Sequence, residues 1–134
     1  MKNYNFLFIF FGLYFLITFL TISCKDEIYL PSDEDIPDSN VSYNKHIQPI
    51  FNVRCATVGC HDMETKSGGL SLVSYHTTTA SYLIVMPGNP DASRLVLAIE
   101  GKLPTPMPPP GRPPLTLKQI KAIRTWVAEG AKNN

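Results

Sequence analysis

Polar and apolar positions along the chain fall into three regimes. The first is an almost unbroken apolar run from Phe6 to Ile22, led by Lys2. It has the charged front and greasy middle of an export leader, a kind of segment to be set apart from fold reasoning. Residues 25–40 follow no period at all. From Ser42 onward the pattern turns helical. Ile47, Ile50 and Phe51 at i, i+3 and i+4 predict an amphipathic helix capped by Ser42, with Pro49 placed to split it. Gly68-Gly69 followed by Leu70-Ser71-Leu72 predicts a turn and a short extended piece, and the stretch from Tyr75 to Val85, with its threonine run, is expected to be irregular. Pro87-Gly88-Asn89-Pro90 predicts a turn into a helix over 90–100. Asn89 is its N-cap, Pro90 its first residue, Leu95, Val96 and Ile99 its buried side, and Gly101 its stop. Residues 104–114 hold seven of the chain's twelve prolines and can be neither helix nor inner strand. The last element, 115–130, is the best helix. Thr116 and Gln119 are spaced as a capping box, and Leu117, Ile120, Ile123 and Val127 with Trp126 form one apolar stripe. The sum is an all-α domain of about three to four helices.

Composition sharpens the division. Six of the seven phenylalanines lie in the leader, so the folded part owns Phe51, Trp126 and a few tyrosines, and a large or aromatic-rich core is not expected. A single small domain buries only about 60% of its unfolded surface, so a staple such as a metal or cofactor would be in keeping with its size. Residues 25–40 hold six of the eleven acids (Asp26, Glu27, Asp33, Glu34, Asp35 and Asp38) and read as a solvated, flexible tether. Val41 to Asn134 then carries ten Lys and Arg against five Asp and Glu, a balance of +5 within a chain of +1 overall. Such a domain is steered toward acidic surfaces. No basic run with interleaved aromatics is present, so nucleic acid is not an expected partner.

At the leader's end, Leu20-Thr21-Ile22-Ser23-Cys24 resembles the lipobox of bacterial lipoproteins, in which the cysteine becomes lipidated and N-terminal. An uncleaved membrane anchor is the other reading of the same run, and both export the rest of the chain. The expected organisation is a signal peptide over 1–23, a lipidated Cys24 with the acidic tether over 24–40, and the folded domain over 41–134. Several acyl chains on one residue suffice for stable anchoring, so the protein is expected at a bacterial membrane, the outer one by preference, facing periplasm or cell surface. Lys25-Asp26-Glu27 also resembles a lysine-plus-acid tag found on surface-exposed lipoproteins, or is an ordinary charged linker.

The string Cys55-Ala56-Thr57-Val58-Gly59-Cys60-His61 carries the chemistry. Two thiols followed at once by an imidazole meet the needs of covalent haem, with a thioether from each cysteine and the adjacent histidine on iron. The usual spacer is two residues, and four stand here, with Gly59 supplying backbone freedom before the second thiol. A disulfide between Cys55 and Cys60 is the competing reading in an exported chain; zinc lacks two further ligands at normal spacing. Met107 is the candidate for the iron's other face, because the prolines around it hold a thioether in place with little entropy to lose. Met86, His46, His76 or no sixth ligand are the alternatives, and Met63 is too close to His61 to reach across.

The region from Val41 to Ala131 resembles the small c-type cytochrome domain of planctomycete-type bacterial cytochromes. The likeness rests on six motifs in order: Ile47-Gln48-Pro49-Ile50, Cys55 to His61 with Asp62, Gly68 to Leu72, Pro87 to Ser93, Met107-Pro108-Pro109, and Trp126 to Ala131. It implies a cytochrome c-like fold around one haem c, thioethers at Cys55 and Cys60, His61 proximal and Met107 distal. On this reading the protein is an electron carrier rather than an enzyme, serving an unidentified redox partner, with Trp126, Phe51, Ile120 and Leu95 as expected neighbours of the ring. A haem-free, disulfide-stapled surface lipoprotein that binds a partner, and a haem sensor of gas or peroxide, are the alternatives.

Overall fold

A computed structural model describes residues 29–134. The leader and Cys24 lie outside the described residues. Among those described there are four α-helices, one π-helical turn, two 3-10 turns and no strand, as expected for an all-α domain, and no helix is long and apolar enough to cross a membrane.

Ser42 caps the first helical segment as expected, its hydroxyl accepting from the Lys45 amide at 3.2 Å. The segment is split at the proline. Tyr43–Ile47 is a π-helical turn, and α1, Gln48–Arg54, begins with Pro49 in its first turn, where a missing N–H costs no intrahelical bond. Tyr43, Ile47, Ile50 and Phe51, spaced on one helical face, are buried.

Where irregular chain was expected, Tyr75–Thr78 forms a one-turn helix, α2, closed by a capping box between Ser74 and Thr77. The helix expected over 90–100 is broken in two. Pro90–Ala92 is a 3-10 turn capped by Asn89, and α3 is Arg94–Ile99. The cause is Ser93, fully buried in extended backbone, whose hydroxyl accepts from the Met86 amide at 2.8 Å and donates to the Asn89 carbonyl at 2.9 Å. Leu95, Val96 and Ile99 are buried as expected, and Gly101 follows the helix with φ +70. Residues 104–114 form no helix or strand.

The last helix, α4, is Leu117–Ala128, and Thr116 and Gln119 make the expected reciprocal cap at 3.1 Å in both directions. Its buried stripe is Gln119, Ala122, Ile123, Trp126 and Val127. Leu117 does not belong to it. At 87% exposed it falls on the far side of the helix, because a residue two positions before Gln119 is rotated away from the stripe.

The aromatic residues are few but concentrated, against the expectation from composition. The Tyr43 ring packs on Trp126 (centroids 5.1 Å apart), on Tyr75 edge-on (5.2 Å) and on Phe51 (6.4 Å). Each polar tip finds a partner, as buried Tyr and Trp require. Tyr43 Oη bonds Gln48 and Thr78, Tyr75 Oη bonds the Ala131 carbonyl, and Trp126 Nε1 bonds the Lys132 carbonyl. Burial pushes the Tyr43 hydroxyl up to about 12.

Residues 29–40 correct the expectation of a solvated tether over that part of the segment, for they lie along the domain as a strap. Ile36 is buried at 2% exposure. Asp33 accepts from Thr116 Oγ1 at 2.7 Å, Asp38 pairs with Lys118 and Lys121, and the Glu129 carboxylate takes the amides of Asn40 and Val41. Two of the acids that made the segment look solvated, Asp33 and Asp38, fasten it to α4 and its N-cap.

Candidate functional site

At the C-terminal end of α1 the chain turns tightly. The amides of Cys55 and Ala56 both return to the Phe51 carbonyl (2.9 and 2.7 Å), and Cys55 leaves the helix at φ −128. Cys60 N then bonds Thr57 O at 3.0 Å and His61 N reaches back to Cys55 O at 3.1 Å. The four-residue spacer is thereby folded over itself. Gly59 has φ +82 within it, a backbone region where a side chain is strained. Asp62 clamps the turn. Its carboxylate accepts from the amides of Thr65 (2.7 Å), Glu64 (2.8 Å) and Gly59 (2.9 Å), and these bonds, those from Thr65 foremost, hold the carboxyl well below the usual carboxylate range.

His61 is fixed from both sides. Its carbonyl accepts from Leu72 N at 2.9 Å, and Nδ1 lies 3.2 Å from the Leu70 carbonyl. A carbonyl only accepts, so Nδ1 carries the proton and Nε2 keeps its lone pair, the tautomer of a metal-ligating histidine. The segment that holds the ring is the expected turn and extended piece: a 3-10 turn at Ser67–Gly69 leading to Leu70 with φ −108 and ψ 130.

Met107 approaches from the other half of the chain. It sits in the proline-rich segment, half-buried, with its amide bonded to the Ala98 carbonyl of α3 at 3.0 Å. Cys55, Cys60, His61 and Met107 all line one cavity of about 790 Å³, within the span of about 300–1,000 Å³ typical of cofactor and small-molecule sites. Leu70, Leu72, Ile84, Leu95, Ile99 and Leu103 supply much of its apolar wall, and among the described residues no Asp or Glu lines it. A second hollow of about 190 Å³, lined by Asn40, Trp126, Glu129 and Lys132 among others, holds none of the candidate residues.

The competing iron ligands do not line the cavity. His46 Nδ1 accepts from the Ser42 amide at 3.0 Å, His76 is exposed on α2, Met63 is 51% exposed, and the Met86 backbone is engaged by Ser93. Of the four expected neighbours of the ring, Leu95 alone lines the cavity. Trp126 and Phe51 are consumed by the aromatic cluster, and Ile120 packs half-buried against the core.

Cys55 and Cys60 are free thiols. Burial pushes the Cys55 thiol up to about 12, with Cys60 adding to the shift and Arg54 opposing it. A thiol held protonated at neutral pH is not an activated nucleophile. The chemistry of this donor set, two thiols beside an imidazole with Nε2 free and a thioether in one largely apolar cavity, fits haem. Sequence reasoning missed Arg54, Arg94 and Arg112, which also line the cavity. Arg54 stands directly before Cys55, and that adjacency was the one signal available for it.

Residues 58–111 match a family model described as Planctomycete cytochrome C. The matched segment takes in Cys60, His61, the α3 wall and Met107, while Cys55 and α4 lie outside it. No curated protein and no solved structure matches the chain. The family implies a covalently bound haem, and the helical architecture is consistent with it. Over residues 58–111 the chain is thus similar to Planctomycete cytochrome C, a likeness that supports a cytochrome c-like domain.

Proposed function

We propose that the protein is a membrane-anchored monohaem c-type cytochrome that carries single electrons, holding haem c through Cys55 and Cys60 and ligating its iron through His61 and Met107. The observation that carries this reading is the convergence of Met107 with the sequence-adjacent Cys55, Cys60 and His61 on one largely apolar cavity. Bound there, haem supplies a one-electron Fe(III)/Fe(II) couple. Cys55 and Cys60 would hold it through thioethers. The Leu70 carbonyl keeps His61 in the ligating tautomer. A methionine and a histidine together on the iron would raise its reduction potential, and the Met107 loop, pinned through Ala98, holds that sulfur at the cavity wall with little backbone freedom left to lose. The apolar part of the lining would limit water beside the metal.

In this reading Cys24 carries the lipid, the strap leads from it to the domain, and the +5 balance of residues 41–134 suits a transient acidic redox partner. The decisive experiment is haem staining of a denaturing gel, together with the alkaline pyridine spectrum of protein made in a cell that matures c-type cytochromes. Stain that stays with the wild-type polypeptide and is lost in the Cys55→Ala/Cys60→Ala double variant is the expected result; a colourless wild-type protein would overturn it.

A further inference from the structure

Among the described residues the cavity wall carries three arginines and no carboxylate, an imbalance that iron ligation leaves unexplained. Elsewhere among the described residues, cations near acids are paired, with Arg124 bonding both Asp91 and Glu100, and Lys118 and Lys121 sharing Asp38. Arg54, Arg94 and Arg112 make no ion pair among the described residues. Arg54 is the extreme case, because its Nε is buried with no hydrogen-bond partner. A guanidinium donor shut away from water without an acceptor is costly, and such groups in native proteins mark a missing ligand, water or ion. Arg94 and Arg112 are exposed, so they stand where the cavity meets solvent.

We propose that Arg54 is an anion-binding residue of the cavity, its guanidinium fork receiving a carboxylate of the bound ligand, with Arg94 and Arg112 adding positive charge at the rim. Resting on the haem reading, this assigns the carboxylate to a propionate of the porphyrin. The fork matches a carboxylate in a two-bond, charge-assisted geometry. Its place in the chain, one residue before a thioether cysteine, would register the ring in the cavity by charge as well as by covalent bonds. Arg54 is a binding residue of the cofactor's periphery and needs no contact with the iron.

The test compares iron protoporphyrin IX with its dimethyl ester, whose propionates are neutral, binding to the full-length apoprotein and to Arg54→Gln, Arg54→Lys and Arg94→Gln, followed by optical titration. The expected result is that wild type prefers the free acid by roughly tenfold to a hundredfold, as for a hydrogen bond between charged groups. Arg54→Gln should lose most of that preference and Arg54→Lys retain part of it, while Arg94→Gln, which removes rim charge without removing the fork, should lose a smaller share. In the covalently loaded protein, Arg54→Gln should keep its haem stain but show a lowered reduction potential, since an unpaired propionate favours the ferric state. Equal binding of acid and ester by wild type would overturn the assignment even if Arg54→Gln fails to fold. So would a preference for the acid that survives in Arg54→Gln. If neither porphyrin binds and the native protein takes no haem stain, the haem reading itself falls, and this assignment falls with it.

Discussion

At Met107 the deciding atom is one sulfur, and the residues around it are arranged to present it. Met107→Ala should leave haem attached, because both thioethers survive, yet lower the reduction potential and abolish the spectroscopic signature of sulfur on iron. Oxidative titration with visible spectra checks this, and an unchanged signature would mean that another group holds the sixth position. Asp62 acts one step removed, since its carboxylate ties the amides of Gly59, Glu64 and Thr65 around the thiol turn. Asp62→Ala should reduce the yield of haem-loaded protein several-fold while leaving the spectrum of the loaded fraction unchanged, measured as stain per unit of protein. Much of this site was legible from the residues alone. Cys55, Cys60 and His61 declare themselves by adjacency, and Met107 by its setting among prolines. The lining residues Ile99 and Leu103, and the half-buried Arg54, were not legible, because their roles depend on which distant segments meet.

Elements divide along the same line. The caps at Ser42 and Thr116 and the stop at Gly101 are short-range chemistry, readable over a few residues, and they stand where expected. Ser93 breaks a helix for a reason that lies in the turn before it, in bonds to Met86 and Asn89. The strap is the larger lesson: six acids in sixteen residues look like a solvated linker until the lysines of α4 and the Glu129 carboxylate are brought beside it. Ile36 is its hydrophobic pin. Ile36→Ala should cost about 2–4 kcal/mol and expose 29–40 to protease, tested by denaturant melts and limited proteolysis. Lys121 and Lys118 hold the Asp38 carboxyl down to about 2. A carboxyl with a depressed folded pKa stabilises the fold above its unfolded value, near 4, and loses that contribution as pH falls toward 2. Asp38→Asn should therefore flatten the decline in thermal stability between about pH 4 and pH 2. Because the pair is largely exposed, added salt should shrink the difference between variant and wild type.

Over the whole molecule two apolar regions divide the work. One is the closed cluster of Tyr43, Phe51, Tyr75 and Trp126, packed between the start of the domain, α2 and α4. The other is the cavity, whose wall comes from the end of α1, the 67–72 segment, α3 and the proline-rich loop. Trp126→Ala should cost about 3–5 kcal/mol, a large part of the roughly 5–15 kcal/mol that holds a domain together, and calorimetry should find that variant near the limit of folding. Protein produced without haem should keep its helical circular dichroism but melt at a lower temperature and bind a hydrophobic dye that the loaded form excludes. The separation of the two regions also has an optical consequence. Trp126 is the one tryptophan of the chain, and it reports from a part of the fold that does not line the cavity. Its emission wavelength should therefore stay the same on loading, while its intensity falls by energy transfer to the porphyrin. One fluorescence trace during maturation would then follow cofactor arrival and folding as separate signals, one in intensity and the other in wavelength.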